Sequence, residues 1–297
     1  MLKIAHIINP VNAKKGSELA VAQPITFETM RRAAETAVSS PSPSTTIHLF
    51  AIAYPEDAPT MPAGFTHLPP LTQSVLDVGH FAPPRKLPLL RHILDALYAA
   101  SDADFFIYTN VDIALQPQFY TAVSQIIAAG HDAFVINRRT IPKTHTRVAD
   151  IPHMLAEPGE PHRGWDCFVF RRQAYEQYQL GDVCLGAPRV GLALLANLIA
   201  FADNFKEFKD EHLTFHLGDD RSWRSWRPSD YERHNTRELM KILARLEQAN
   251  GAFPVQAPPG AFLAKKRTLG PFYELWTRLA HLPIGWSRWL NGWIGNR

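Results

Sequence analysis

The sequence predicts an α/β fold in which helices flank a mostly parallel sheet. Short apolar runs of strand length alternate with helix-like segments along most of the chain, and this order is typical of strands joined by helical crossovers. A chain of 297 residues, of which 46% are hydrophobic and 20% are charged, can bury a sizeable core. The sequence contains no run of about 18 apolar residues that would cross a membrane as a helix.

Apolar runs and helical patterns alternate in the first half of the chain. In order, the predicted elements are the strand Lys3 to Ile8, a helix from Thr26 to about Val38, the strand Thr46 to Ala53, the helix Leu87 to Ala100, the strand Asp104 to Tyr108 and the helix Pro117 to Ala129. Thr26 suits a helix N-cap, because its hydroxyl can accept a hydrogen bond from a free backbone N–H. In the fourth element apolar residues recur at i, i+3 and i+4, which is the spacing of an amphipathic helix.

The second half continues the alternation after a long irregular segment. The predicted elements are the strand Ala133 to Asn137, a mobile loop from Thr140 to Arg163, the strand Asp166 to Arg171, the helix Arg189 to Ala202, the strand Leu213 to Leu217 and the helix Ser229 to Asn250. The loop is predicted because this segment carries four prolines and shows no periodicity. Residues 1–227 are expected to form the α/β domain, and residues 228–297 a helical C-terminal extension.

Candidate chemistry follows the strand Asp104 to Tyr108. Asn110 and Asp112 offer hard oxygen ligands one residue apart, just beyond the carboxyl end of a strand, where open α/β sheets bind ligands. Such oxygens suit Mg²⁺ or Mn²⁺, and either cation can hold a diphosphate. The alternative is an Asx turn that closes a buried strand.

This pattern resembles the GT-A family of nucleotide-sugar-dependent glycosyltransferases over roughly residues 1–227. The metal-binding motif of that family is usually Asp-x-Asp, and the matching residues here read Asn110-Val111-Asp112, an Asn-x-Asp variant. The resemblance implies a Rossmann-like fold and transfer of a sugar from a nucleoside-diphosphate sugar to an acceptor hydroxyl. It also implies that Mn²⁺ or Mg²⁺ is held by Asn110, Asp112 and a late histidine, His216. For His216 the alternative is a core histidine hydrogen-bonded within a strand.

Further residues are predicted to hold the donor. Arg85 and Lys86 lie at the start of the predicted fourth element, where two cations beside a helix N-terminus can bind an anion. Arg138 and Arg221 could pair with phosphate or carboxylate groups. In the resembled enzymes the ends of the first two strands hold the nucleoside, and this comparison indicates Asn9, Pro10 and Asp57. A solvated basic turn and ordinary loops are the alternatives.

A base for the acceptor is the last candidate. An inverting transferase needs a carboxylate near the acceptor hydroxyl. Asp166, which follows Gly164 and Trp165, is the first choice, with Asp182 and Asp219 behind it. A retaining reaction would need no such base, and Asp166 would then be a surface residue that begins a strand.

Composition narrows the partners and the compartment. A formal net charge of +3, without zinc-ligand spacing or a basic-aromatic motif, argues against a nucleic-acid partner. Cys167 and Cys184 stand in apolar surroundings, which predicts buried thiols in a reducing, cytoplasmic location. The expected acceptor is a glycan, a lipid-linked acceptor or a small molecule.

The C-terminal tail differs from the rest of the chain. It carries four of the seven tryptophans, interleaved with basic residues, at positions Trp276, Trp286, Trp289 and Trp293. Such a segment suits either peripheral contact with the inner face of a membrane or docking of its aromatic residues onto the domain.

Two other functions remain open at the level of sequence. One is a nucleotidyltransferase that acts on sugar phosphates, for which the segment Ala13 to Gly16 is a faint signal. The other is a catalytically inactive, membrane-associated binding protein, which the asparagine at position 110 favours.

Overall fold

A mixed sheet runs through the centre of the protein in the computed structural model, which describes residues 1–39, 45–218 and 229–279. The strands are β1 (Leu2–Ile8), β2 (Thr45–Ala51), β3 (Thr66–His67), β4 (Phe105–Thr109), β5 (Ala114–Leu115), β6 (Ala133–Ile141), β7 (Glu160–Arg171), β8 (Phe205–Phe208) and β9 (Thr214–Leu217). The helices are α1 (Glu18–Val38), α2 (Leu90–Ala100), α3 (Phe119–Ala128), α4 (Ile151–Ala156), α5 (Val190–Phe201), α6 (Asp230–Asn250) and α7 (Pro258–Leu279). The predicted α/β class, with helices flanking a mostly parallel sheet, is confirmed.

The strand order decides which loops meet. The order is β3-β2-β1-β4-β7-β6-β9-β5, and β8 pairs with β6 beside β9. β1 is parallel to β2 and β4, and β6 is parallel to β8 and β9. β7 lies antiparallel between β4 and β6, and β5 is antiparallel to β9. The ends of β4, β6 and β9 and the beginnings of β5 and β7 therefore share one edge of the sheet.

Helices cover both faces of the sheet. On one face α2 and α5 pack against the strands through fully buried residues such as Leu94 and Leu195, and α6 packs on α5 through Leu243. On the other face α1 and α3 contribute Met30 and Val123 to a second core. Each fully buried aliphatic side chain of this kind contributes about 1.5–3 kcal/mol relative to an exposed one. The sheet edge is thus held by packing on both sides.

The predicted start of the first helix at Thr26 is wrong. The helix begins at Glu18, and the side chain of Ser17 caps it by accepting a hydrogen bond from the backbone N–H of Ala20 at 3.3 Å. Thr26 is fully buried inside the helix, and the Thr29 hydroxyl donates to its carbonyl. Ser17 and Thr26 are both residue types that can cap a helix. Only the packing of the folded protein shows that Ser17 is the cap and Thr26 a core residue.

The mobile loop predicted from Thr140 to Arg163 is also wrong. β6 continues to Ile141, α4 occupies the middle, and β7 already begins at Glu160. The first residues of β7 pair only with β6, whereas the pairing with β4 starts at Cys167. The first residues of β7 are half-exposed and include Pro161. They therefore lack the alternation of apolar and polar residues by which a strand is predicted from sequence.

The predicted C-terminal extension begins with a helix that contributes to the main core. Four residues of α6 are fully buried there: Leu239, Ile242, Leu243 and Leu246. The division at residue 227 remains a prediction. Across the described ranges no helix is long and apolar enough to cross a membrane. Trp286, Trp289 and Trp293 lie outside the described residues.

Candidate functional site

Five of the predicted site residues meet at the shared sheet edge. Asn110 follows β4, Asp112 precedes β5, Arg138 lies near the end of β6, Asp166 lies near the beginning of β7, and His216 lies in β9. Residues separated by up to about a hundred positions are therefore brought together by the antiparallel placement of β5 and β7. We call these five residues the edge cluster.

Asp166 is paired through both of its carboxylate oxygens. Oδ2 accepts a hydrogen bond from Arg138 at 2.6 Å, and Oδ1 accepts one from the side-chain amide of Asn110 at 3.1 Å. The Asp166 and Arg138 side chains are each only 13% exposed, so that their ion pair is largely shielded from water. The carboxylate is therefore fixed on two sides.

His216 is oriented toward Asp112. Its Nδ1 lies 2.7 Å from the carbonyl oxygen of Gly218, and its Nε2 lies 3.3 Å from Oδ2 of Asp112. Because a carbonyl oxygen only accepts, Nδ1 carries the hydrogen. In neutral histidine the lone pair of Nε2 then points at a carboxylate oxygen, and a cation or proton between the two would relieve the repulsion. Metal-binding histidines typically have this backbone hydrogen bond on the other nitrogen.

Asp112 is set up as a carboxylate. Burial alone would raise its pKa, but the protonated form of His216 donates from Nε2 to Oδ2, and this hydrogen bond, with the positive charges of His216 and Arg138, holds the pKa of Asp112 below its usual value. Its side chain is one-third exposed at 33%, so that an anionic ligand and its counter-ion can reach it. The geometry thus provides an ionised, accessible oxygen next to an imidazole nitrogen.

Irregular pairing between β6 and β7 shapes the middle of the edge cluster. The register shifts on both sides of Asn137, between Val135 and Asn137 and again before Arg139. Such bulges re-aim side chains, and here they lie beside Arg138 and Asp166. Asn137 and Trp165 instead donate to Glu207 in β8, at 3.1 and 3.0 Å. The sequence gives no sign of these shifts.

Sequence reasoning missed three contributors to the site. Tyr108 was read as a core residue, yet its buried hydroxyl donates to Oδ1 of Asn110 at 3.2 Å. Burial, with the charges of Asp112 and Asp166, raises the pKa of Tyr108 well above its usual value, so the hydroxyl keeps its proton. Gly218, at φ +74°, accepts from His216 and donates to the carbonyl of Ile141. A glycine two residues after a candidate ligand was the available signal.

His162 is the third missed contributor. A Cβ placed on Gly164 would lie 2.6 Å from Cε1 of His162 and 3.0 Å from Oδ2 of Asp166. The imidazole ring and the carboxylate therefore stand within about 6 Å of each other, because glycine leaves room for both. The loop prediction had concealed that these residues share a strand.

The residues predicted to hold the nucleoside lie at the ends of β1 and β2. Asn9 and Pro10 are buried, and the Asn9 amide donates to the carbonyl of Ile52 at 2.7 Å. Asp57 accepts from the backbone N–H of Asn12 at 2.7 Å. These contacts join the two strand ends, and a nucleoside-binding role for the three residues stays a prediction.

Arg85 and Lys86 do not stand at the helix start. α2 begins at Leu90, with an extended Leu89 before it. Pro88 disfavours a helical conformation at Leu87, the residue at which the helix was predicted to start. Lys86 pairs with Glu56 at 2.6 Å, and the backbone N–H of Arg85 donates to Tyr231. The anion site expected at a helix N-terminus is therefore absent at these two residues. Arg221 lies outside the described residues.

The edge cluster fits a divalent cation whose coordination shell is completed by a bound ligand. Within residues 1–39, 45–218 and 229–279 no group of three or more His, Cys, Asp or Glu side chains could hold a metal by itself. Asp112 and His216 supply one carboxylate and one imidazole. Mg²⁺ commonly binds one or two carboxylates together with substrate phosphates and water, and Mn²⁺ also accepts imidazole. Such a site would be completed only when a phosphate ligand arrives.

Comparisons with known proteins give distant likenesses. The chain is similar to Staphylococcus aureus TarS 1-349 in complex with UDP-GlcNAc, with a TM-score of 0.46 and 9% identity over 83% of this chain and 70% of that one. It is also similar to the mannosyltransferase PcManGT from Pyrobaculum calidifontis in complex with GDP-Man and Mn²⁺, with a TM-score of 0.42 and 12% identity over 93% of this chain and 83% of that one.

No protein-family model and no curated protein matches the chain. Because the TM-scores of the two structures lie below 0.5, these likenesses name no family, and the function has to follow from the residues of the edge cluster.

Proposed function

We propose that the protein transfers a sugar from a nucleoside-diphosphate sugar to an acceptor hydroxyl and depends on Mn²⁺ or Mg²⁺. The observation that carries the proposal is the orientation of His216, whose Nδ1–H is held by the Gly218 carbonyl while Nε2 faces Asp112. A histidine fixed in this way next to an ionised carboxylate is suited to a divalent cation.

Asp112 and His216 are the proposed metal-holding residues, and the sequence predicts Asn110 as a third. When bound, the cation would neutralise charge on the donor diphosphate and on the nucleotide that leaves. Asp112 supplies the anionic oxygen and His216 the neutral nitrogen.

Cationic side chains also support binding of a donor diphosphate. Arg138 is ion-paired with Asp166, and its positive charge also lowers the pKa of Asp112. It can stabilise negative charge that develops on a leaving diphosphate in a partly buried setting. Further donor contacts are proposed at Asn9, Pro10 and Asp57 near the ends of β1 and β2, and at Arg85 and Lys86 in the segment before α2. Arg221 is proposed to join them.

Asp166 is the proposed base for the acceptor. Its carboxylate is fixed by Arg138 and Asn110, and each oxygen retains a lone pair that can accept from a hydroxyl. As the acceptor oxygen bonds to the sugar carbon, the bond from that carbon to the diphosphate oxygen would break, the nucleoside diphosphate would leave with the electron pair, and the hydroxyl proton would pass to Asp166. The expected acceptor is a glycan, a lipid-linked acceptor or a small molecule, in a cytoplasmic setting.

Metal and nucleotide binding test the proposal. Calorimetric titration of the wild-type protein with UDP and with GDP, each with and without Mn²⁺, should show binding of at least one nucleotide that strengthens with Mn²⁺. Asp112→Asn and His216→Ala should each weaken this Mn²⁺-dependent binding by about 10- to 100-fold.

His153→Ala is the control for these variants, because His153 is an exposed histidine on α4. It should leave nucleotide binding unchanged. The proposal fails if the wild-type protein binds neither nucleotide with Mn²⁺. It also fails if the protein releases pyrophosphate from a nucleoside triphosphate and a sugar phosphate, because that product identifies a nucleotidyltransferase.

A further inference from the structure

The side chain of Asn110 has a defined orientation. Its amide nitrogen lies 3.1 Å from Oδ1 of Asp166, and its amide oxygen lies 3.2 Å from the hydroxyl of Tyr108. A carboxylate only accepts hydrogen bonds, so the nitrogen must face Asp166 and the oxygen must face Tyr108. The flipped amide would place two acceptors against each other. The oxygen that a metal would need is thus already engaged by a buried donor.

An aspartate at position 110 would not fit this arrangement. Its carboxylate would stand about 3 Å from that of Asp166, and the N–H that now joins the two residues would be lost. Arg138 donates to the other oxygen of Asp166 and so is in place to balance one carboxylate there. Position 110 therefore favours an amide for a local reason that is independent of any metal.

We infer that Asn110 is a positioning residue, which holds the carboxylate of Asp166 through its amide N–H and does not bind the metal. The backbone supports this pairing, since the N–H of Asn110 also points at the carbonyl of Asp166, at 3.4 Å. Tyr108, Asn110 and Asp166 then form one chain of hydrogen bonds from the core to the proposed base. The inference deepens the proposed function and relies on it only for the activity measurements.

Asn110→Asp separates the two roles of this residue. If Asn110 were a metal ligand, aspartate would restore the two-acid motif, tighten Mn²⁺ binding and raise activity. If it positions Asp166, aspartate should leave the affinity for Mn²⁺ alone within about 3-fold and lower kcat by about 100-fold with little change in the donor KM. Mn²⁺ affinity is measured by electron paramagnetic resonance, and kcat with whichever UDP- or GDP-sugar the wild-type protein hydrolyses fastest.

A swapped pair distinguishes positioning from mere structural support. The double variant Asn110→Asp/Asp166→Asn keeps one amide and one carboxylate in contact, with donor and acceptor exchanged. Its midpoint of thermal unfolding should recover toward the wild-type value relative to Asn110→Asp alone. Its activity should not recover, because the carboxylate no longer stands at position 166. If activity instead recovers together with stability, Asn110 acts only as structural support and the inference is wrong.

Failure of the inference can be told from failure of the proposed function. Tighter Mn²⁺ binding or higher kcat in Asn110→Asp would overturn the inference and leave the transferase intact. If the wild-type protein hydrolyses no nucleotide sugar, the proposed function fails. The Mn²⁺ affinities and the unfolding midpoints of the single and double variants would still decide whether the Asn110 amide binds Asp166 or metal.

Discussion

His6 is hydrogen-bonded to the residue that precedes the edge cluster, and its burial makes the stability of the protein depend on pH. The side chain is fully buried, with Nδ1 2.8 Å from the Tyr120 hydroxyl and Nε2 2.9 Å from the hydroxyl of Thr109, the residue before Asn110. Burial lowers the pKa of His6 to about 3, so that the folded protein holds it neutral. The unfolded chain takes up the proton at its ordinary pKa of about 6.5.

The sign of the pH effect follows from these two pKa values. Between about pH 6.5 and pH 3 the unfolded chain binds more protons at this residue than the folded protein, so the free energy of unfolding falls as the pH falls. From pH 7 to pH 5 the loss should be about 2 kcal/mol. In His6→Gln this contribution should vanish, which urea unfolding at the two pH values would show as a smaller pH difference than in the wild type.

His48→Gln provides the comparison for His6, because His48 lies exposed on β2. This variant should keep the wild-type loss of stability between pH 7 and pH 5. An unchanged loss in His6→Gln would contradict the assignment of this effect to His6, whatever the absolute stability of that variant.

At the residue scale the sequence predicted which residues are candidates for the site better than it predicted which side chains pair with each other. Asn110, Asp112 and Asp166 were recognisable because each stands beside an apolar strand, and the structure has all three at one edge of the sheet, whereas their roles stay predictions. That Arg138 pairs with Asp166 was not predictable, because this contact depends on two shifts of register between β6 and β7. The strand propensity of neighbouring residues does not predict a bulge that is stabilised by an ion pair between residues far apart in the sequence.

At the scale of elements, the buried strands and amphipathic helices were predictable because their apolar residues repeat at the period of the element. The antiparallel β7 was only half predictable. Its second half carries the buried run from Cys167 to Phe170, whereas its first half is partly exposed and was read as a loop. His162 was therefore hidden in a segment without periodicity.

Helix α6 is hydrogen-bonded to the segment around Cys184 through several buried residues, of which Asn235 is fully buried. Its Oδ1 accepts from the backbone N–H of Cys184 at 2.9 Å, and its amide donates to the carbonyls of Cys184 and Pro188. The segment it holds is bonded in turn to the start of α2, where Leu90 donates to Val183. α6 thus fixes a loop that borders the segment containing Arg85 and Lys86.

Asn235→Ala should release this loop. It leaves the N–H and the two carbonyls without their partner in a buried place, which should lower the free energy of unfolding by about 2–4 kcal/mol. Hydrogen exchange of the Cys184 amide should become much faster than in the wild type. The control is Asn250→Ala at the exposed end of the same helix, which should change stability by less than about 0.5 kcal/mol. Unchanged exchange at Cys184 would refute the role given to Asn235.

At the scale of the whole molecule, the charge and apolar patterns predicted the fold class. The boundary predicted at residue 227 stays a prediction, and the packing around α5 provides a way to test it. α5 packs against β7 and also against α6. Its sequence is apolar around most of its circumference, which is typical of a helix buried on two sides. The sequence pattern of α5 alone could have shown that a further element covers it, although not which one.

A chain that ends at residue 227 should therefore fail to fold as an independent domain. It would expose the face of α5 that Leu239, Leu243 and Leu246 cover, so we expect no cooperative urea transition and strong binding of a hydrophobic dye. In the full chain, Leu243→Ala should lower the free energy of unfolding by about 2–5 kcal/mol, whereas Leu269→Ala on the exposed side of α7 should have little effect. If the shortened chain unfolds at the urea midpoint of the full protein, the extension is a separate unit, and α6 only rests on a domain that is complete without it.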